Sequence, residues 1–157
     1  MKIAVVSDTH HRTKLIINKL KELNNLDKVI HLGDIVKDAY KIEDELDIEV
    51  LKVRGNCDFN AFDEEEEKII HLNNRKILMT HGHKYNIKVD LNRLYYKSKE
   101  IEADIVLFGH THMPYNEVLN NTLFFNPGSP TNPRSQEGKT YGIIQINKKI
   151  EASIFKL

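Results

Sequence analysis

Residues 3–10 read Ile3-Ala4-Val5-Val6-Ser7-Asp8-Thr9-His10. An apolar run of this kind predicts a buried strand, here over 3–7, and it opens without a spacer into Asp and His. A lone Asp-x-His is ordinary turn chemistry, because Asp closes turns for backbone reasons. Recurrence decides the reading. Val29-Ile30-His31-Leu32 leads to Gly33-Asp34, and Leu51-Lys52-Val53-Arg54 leads to Gly55-Asn56-Cys57-Asp58. Ile77-Leu78-Met79 leads to Thr80-His81-Gly82-His83, and Ile105-Val106-Leu107-Phe108 leads to Gly109-His110-Thr111-His112. Open α/β sheets bind ligands at the carboxyl ends of their strands, so the five tails are expected to converge on one place.

Polar stretches at helical spacing separate the first runs. Leu15 to Leu23 places Ile16, Leu20 and Leu23 on one face and predicts a crossover helix. With a strand over Lys28–Leu32, a helix over Lys37–Glu45 and a strand over Glu49–Val53, it gives a parallel β-α-β-α-β unit. Strands over Lys68–Leu72 and Lys76–Thr80 then flank the turn residues Asn73-Asn74. A second helix carries Leu91, Leu94, Tyr95 and Ile101 on one side, and Asp104–Phe108 returns as a strand. Two further strand pairs follow, Tyr115–Leu119 with Thr122–Asn126 around Asn120-Asn121, and Tyr141–Asn147 with Ile150–Phe155 around Lys148-Lys149. So many strands predict two sheets packed face to face with helices outside. Glu64 to Glu67 reads as a solvated charge run. No repeat, low-complexity segment or linker is visible, and residues 1–157 read as a single domain.

The 23 basic and 23 acidic residues give a formal net charge of +0. The long-range field that collects polyanions or acidic membranes is therefore missing, and neither long nucleic acid nor a membrane is an expected partner. The single Cys excludes an internal disulfide framework, and no basic-plus-apolar leader or long apolar run is present. The cytoplasm is the expected compartment.

Carboxylates and imidazoles without a thiolate cluster suit Mn, Fe, Zn, Co or Ni rather than a Cys-rich structural zinc site. The tails carry more donors than one ion can use. Two ions sharing a carboxylate, about 3.5 to 4 Å apart, would use them, and that arrangement serves in-line displacement at phosphorus.

Taken together, Asp8-x-His10, Gly33-Asp34, Gly55-Asn56-x-Asp58, His81 of Thr-His-Gly-His, Gly109-His110-x-His112 and the late Asn126-Pro127-Gly128-Ser129 resemble the calcineurin-like metallophosphoesterases. Length and the Gly-Asn-Cys-Asp variant look most like the small bacterial and archaeal phosphodiesterases of the YfcE type. The resemblance implies a four-layer α-β-β-α sandwich of two mixed sheets. It implies two divalent ions per chain, Mn foremost, with Ni, Zn, Fe, Co or Mg as alternatives. Asp8, His10 and His112 would hold the first ion, Asp34 would bridge, and Asn56, His81 and His110 would hold the second. The implied reaction is hydrolysis of a small phosphodiester by a hydroxide bridging the ions, with phosphomonoesters as side substrates. His83 is expected beside the ligands rather than among them, and His11, His31 and His71 match no family ligand. Arg54 and Arg134 stand close to the motifs and are candidates for a phosphate contact.

One position departs from the pattern. Much of the superfamily has a histidine after the metal-binding asparagine, oriented by the acid that follows, and it helps the leaving group depart. Here Cys57 stands in that place with Asp58 retained. A thiol of ordinary pKa about 8.5 cannot supply an imidazolium's charge at pH 7. Cys57, Asp58 and Asn56 are thus the candidate catalytic group, and esters with good leaving groups are the expected substrates. The resemblance also carries a rival, since the family's retromer subunit is a protein-binding scaffold on the same fold. Relatives often form dimers or tetramers, so a homodimer or homotetramer is the oligomer that analogy suggests.

Overall fold

Alternation within the short apolar runs sends successive side chains to opposite faces, and this sorting builds the layers. The computed structural model describes residues 1–157. Its first sheet begins with β1 (Lys2–Val6), β2 (Lys28–His31) and β3 (Val50–Lys52), which pair in parallel with Val6 opposite His31 and Val29 opposite Val50. The helices α1 (Lys14–Lys21) and α2 (Val36–Leu46) make the two crossovers. On the other side of β1 the late strands β9 (Thr140–Ile146) and β10 (Ile150–Lys156) add antiparallel, giving the order β10-β9-β1-β2-β3.

The second sheet is formed by β4 (Glu67–Leu72), β5 (Arg75–Thr80), β6 (Ile105–Phe108), β7 (Pro114–Leu119) and β8 (Thr122–Pro127), in the order β4-β5-β6-β8-β7. The hairpin partners β4 and β7 flank three parallel central strands. The helix α3 (Asn92–Glu100) connects β5 to β6.

Three apolar clusters follow from the pleat. Ile3 and Val5 of β1, Ile30 of β2, Ile77 and Met79 of β5, Ile105 and Leu107 of β6 and Phe125 of β8 meet between the sheets. Their neighbours Ala4, Val6 and Val29 face outward and are covered by Ile16, Ile17 and Leu20 of α1 and Ala39 and Ile42 of α2. Leu78, Val106, Phe108 and Phe124 face outward from the other sheet and are covered by Leu94 of α3 and by Ile87. The result is the four-layer α-β-β-α sandwich, with both faces of the parallel strands buried, which is why those strands read as continuous apolar runs.

Two details differ from the expectation. The segment after β5 makes a 3₁₀ turn over His83–Tyr85, which no periodicity announced. Of the run Glu64 to Glu67, only Glu65 is solvated as expected. Glu64 accepts from the Tyr40 hydroxyl and from Lys68, Glu66 pairs with Arg54 and Lys84, and Glu67 accepts from the Tyr85 hydroxyl. Scattered basic and phenolic partners brought together by the fold turn these carboxylates inward. No helix is long and apolar enough to cross a membrane.

Phe125 is fully buried at the centre of the inter-sheet layer. Phe125→Ala is expected to lower unfolding free energy by about 3–5 kcal/mol in denaturant titrations, the range for a large cavity left in a packed core.

Candidate metal centre

The five tails leave their strands on one side of the sandwich, and their backbones are unusual. Asp8, His10, Asp34, His110 and His112 have φ of 58°, 44°, 55°, 65° and 59°. Left-handed conformations of residues with a Cβ cost roughly 1–3 kcal/mol each and persist only where the surroundings fix them. The fixing groups are visible. The Ser129 hydroxyl donates to the Asp8 carbonyl at 2.8 Å, and the Thr131 hydroxyl lies 3.2 and 3.1 Å from the carbonyls of Asp8 and Thr9. The Asn126 amide donates to the Gly109 carbonyl at 2.7 Å. The Asn126-to-Ser129 motif therefore ties the last tail to the first. Two close approaches require glycine, since a Cβ at Gly55 would strike the Asp34 carboxylate and one at Gly109 the Ser7 side chain.

The functional atoms meet at short range. His112 Nε2 lies 3.1 Å from Asp8 Oδ1 and 3.3 Å from His10 Nε2, and His10 Nε2 lies 3.9 Å from Asp34 Oδ2. On the other side of Asp34, Oδ1 lies 3.2 Å from His81 Nε2, which is 3.2 Å from His110 Nδ1. Asp8 also reaches across, with Oδ2 accepting the His110 backbone N–H at 3.0 Å. Asp8, His10, Asp34 and His112 can each offer one ligand atom within 4.8 Å of all the others.

Electrostatics fit a cation at this place. The Nδ1–H of His81 donates to the Leu32 carbonyl and that of His112 to the Asn132 carbonyl, each at 2.7 Å. In their neutral forms both rings therefore turn a bare Nε2 toward a carboxylate, so acceptor faces acceptor. Asp8 Oδ1 is buried with no hydrogen-bond donor. Burial alone would raise the Asp8 pKa, but the His112 contact and the charges of His81 and His112 outweigh it and hold the carboxyl below its usual value. Burial likewise opposes charge on His112, and Asp8 overcomes it and raises that pKa. Burial, with His81 and Lys88 adding to it, pushes His110 down to about 4, leaving a neutral donor nitrogen at pH 7. Hard oxygens and borderline imidazoles around charge-deficient space suit a divalent first-row ion.

The remaining predicted residues fall around this group. Asn56 is exposed, and its amide nitrogen lies 3.6 Å from Cys57 Sγ. The Cys57 thiol donates to Asp34 Oδ2 at 3.2 Å. Burial and this contact push its pKa up to about 11. Asp58 takes no hydrogen bond from the Cys57 side chain. Its two oxygens accept the backbone N–H groups of Val36 at 2.7 Å and Gly55 at 2.8 Å, stapling the second tail to the third. The His83 ring lies 5.5 Å from that of His81, centroid to centroid and tilted by 51°, and its Nε2 is 3.8 Å from Glu66. Arg54 is tied to Glu66 at 3.2 Å and so is not free for a phosphate, whereas Arg134 is exposed without a carboxylate partner. His11 and His71 are exposed.

Sequence reasoning missed a buried relay. The Gly33 N–H donates to His31 Nδ1 at 3.3 Å, so His31 Nε2 carries the proton and donates to the Thr9 hydroxyl at 3.1 Å. Thr9 in turn donates to Asp38 Oδ2 at 2.6 Å, and that oxygen also accepts the His11 N–H at 2.8 Å. The relay joins the tails carrying Asp8 and Asp34. Its only sequence signal was a histidine inside an apolar run, which reads as a core residue.

Carboxylates held in the interior by strained loops, with imidazoles and no lysine or arginine to balance them, are a donor set for divalent metal ions. The chain belongs to the calcineurin-like phosphoesterase superfamily, whose domain matches residues 1–149. It is 36% identical over 148 residues to the probable metallophosphoesterase YsnB of Bacillus subtilis, covering 93% of this chain and 85% of that protein. It is 31% identical over 144 residues to phosphodiesterase MJ0936 of Methanocaldococcus jannaschii, covering 82% and 83%. Among solved structures it is similar to a predicted phosphoesterase from Streptococcus pneumoniae, with TM-score 0.84, 30% identity and coverage of 99% and 88%. It is also similar to a Vps29 mutant from Entamoeba histolytica, with TM-score 0.79, 25% identity and coverage of 99% and 100%.

Burial pushes the His31 pKa down to about 4, with Asp38, Asp8 and Asp58 opposing only in part. The unfolded ring, near 6.5, takes up protons that the folded one refuses, so this group's contribution is full above pH 6.5 and is lost as pH falls toward 4. His31→Gln should flatten the acid decline of chelator-treated protein over that window by up to about 1.4 kcal/mol per pH unit. Thermal unfolding at several pH values measures it, and an unchanged slope would mean that His31 is not buried neutral.

Proposed function

We propose that the chain is a metal-dependent phosphodiesterase acting on small phosphodiesters through a two-ion centre. The observation that carries this reading is Asp34, whose two oxygens face different imidazoles, His10 at 3.9 Å and His81 at 3.2 Å. Asp8, His10 and His112 form one half-site and His81 and His110 the other, with Asp34 common to both. The amide oxygen of Asn56 would complete the second half-site. The donor set accepts several first-row ions, and the family resemblance puts manganese first among them. Two divalent ions there would lower the pKa of water and neutralise charge on the phosphoryl oxygens.

The protein's own part is positional. The Leu32 and Asn132 carbonyls fix the rings of His81 and His112 with Nε2 inward, and the left-handed tails hold the carboxylates in place before any ligand arrives. Cys57 remains a thiol at pH 7 and offers the departing oxygen no charged acid. Leaving groups that need no proton are therefore favoured.

Hydrolysis of bis-p-nitrophenyl phosphate and p-nitrophenyl phosphate by chelator-stripped protein, with Mn²⁺, Ni²⁺, Zn²⁺ or Mg²⁺ restored in turn, tests the reading. Metal-restored turnover of the diester, reduced by a factor of about 100 or more in Asp34→Asn, is expected. The likeness to Vps29 supports the second reading, a protein-binding scaffold, and folded protein inert with every ion would favour it. Cys57→His should raise kcat on alkyl esters by about 10²-fold while changing aryl esters little, as expected for a restored general acid. Unchanged rates on every ester would remove Cys57 from the reaction.

A further inference from the structure

Two clefts flank the cluster. One, of about 340 Å³, runs from Cys57 and Asp58 past Ile35, Tyr40 and Phe59, and carries the carboxylates of Asp63 and Glu64. The other, of about 410 Å³, lies against the last tail, with Thr111 of Gly-His-Thr-His in its wall. Ile87, Leu91 and Phe108 line it, with Met113 and Tyr115 alongside.

This second cleft is built onto the candidate metal centre at two points. The Arg134 backbone N–H donates to the His112 carbonyl at 3.2 Å. Ile87 sits so close over Gly82, the residue after His81, that any Cβ there would strike it. No acidic residue lines the cleft, but Lys88 and Arg134 do, and both are exposed. The arginines that pair with carboxylates are Arg54 and Arg75, and neither Lys88 nor Arg134 has such a partner. An apolar recess with two unpaired cations is complementary to an organic anion with a flat apolar body, and the acid-bearing cleft beside Cys57 is not.

A phosphodiester has two arms, one that leaves and one that stays on phosphorus. Cys57 occupies the position of the residue that would assist the leaving arm, which assigns the first cleft to that arm and frees the second. We propose that the cleft of Ile87, Leu91 and Phe108 is the subsite for the retained arm, and that it selects an aromatic or heterocyclic group bearing a second anion, a carboxylate or a further phosphate, through Lys88 and Arg134. The inference rests on the phosphodiesterase reading.

The test compares p-nitrophenyl 4-carboxyphenyl phosphate with p-nitrophenyl phenyl phosphate, which share a leaving group and differ by one carboxylate on the retained arm. The oxygen of water bonds to phosphorus, the bond to p-nitrophenolate breaks with its electron pair, the water's released proton goes to solvent, and the aryl phosphate monoester is the other product. With Mn²⁺-loaded protein kcat/KM should be roughly tenfold higher for the carboxylated ester, mainly through KM, as two partly exposed charge contacts allow. The advantage should shrink with added salt, vanish in the Lys88→Ala/Arg134→Ala double variant and invert in Lys88→Glu. Equal kcat/KM for the two esters in the unaltered protein, or an advantage that survives in the double variant, overturns the proposal. If neither ester turns over, the phosphodiesterase reading falls, and calorimetric Kd values for the pair on the same preparation decide the subsite. A carboxylate preference lost in the double variant then upholds the cleft as an anion-selective aromatic site though not as a retained-arm subsite, and equal affinities overturn both.

Discussion

Asp8 and Asp34 are buried, and their ion-pair partners are imidazoles alone. Uncompensated carboxylates in an interior are costly, by several kcal/mol each after relaxation. Much of the structure around them answers that constraint. Backbone N–H groups of Cys57 and His110 turn toward them, side chains at Ser129 and Thr131 hold the strained Asp8 tail, and two ring nitrogens are pinned inward by carbonyls. The residual deficit of positive charge is what makes the place a site for cations.

The sandwich sets the distances at which these groups meet. Asp8, His10 and Asp34 follow strands of the first sheet, while His81, His110 and His112 follow strands of the second. The cluster thus straddles the two sheets, and the apolar layer of Ile3, Val5, Ile77, Met79 and Leu107 beneath it fixes their separation. A close-packed layer yields little to local strain, so the site inherits its rigidity.

Cys57 is joined to the cluster through Asp34. Its backbone N–H donates to Asp34 at 3.0 Å and its thiol to the same carboxylate at 3.2 Å. With its pKa pushed up by burial and by Asp34, the thiol stays a neutral donor that steadies this carboxylate without adding a positive charge beside it. Asp58 serves as a staple between two tails.

The amino-acid sequence by itself determined the strand and helix order, the two-sheet architecture and the convergence of Asp8, His10, Asp34, His81, His110 and His112. These follow from local pattern, because apolar runs, turn residues and polar tails are written consecutively in the chain. Only the tertiary structure decided the relay through His31, Thr9 and Asp38, the inward turn of Glu64, Glu66 and Glu67, the capture of Arg54 by Glu66, and the two clefts of unlike charge. Each depends on partners far apart in sequence, and a residue's preference for burial or solvent says nothing about which distant group will meet it. His31 shows the difference most plainly. Inside an apolar run it reads as filler, and only the packing of β2 beside β1 makes it the link between two tails of the site.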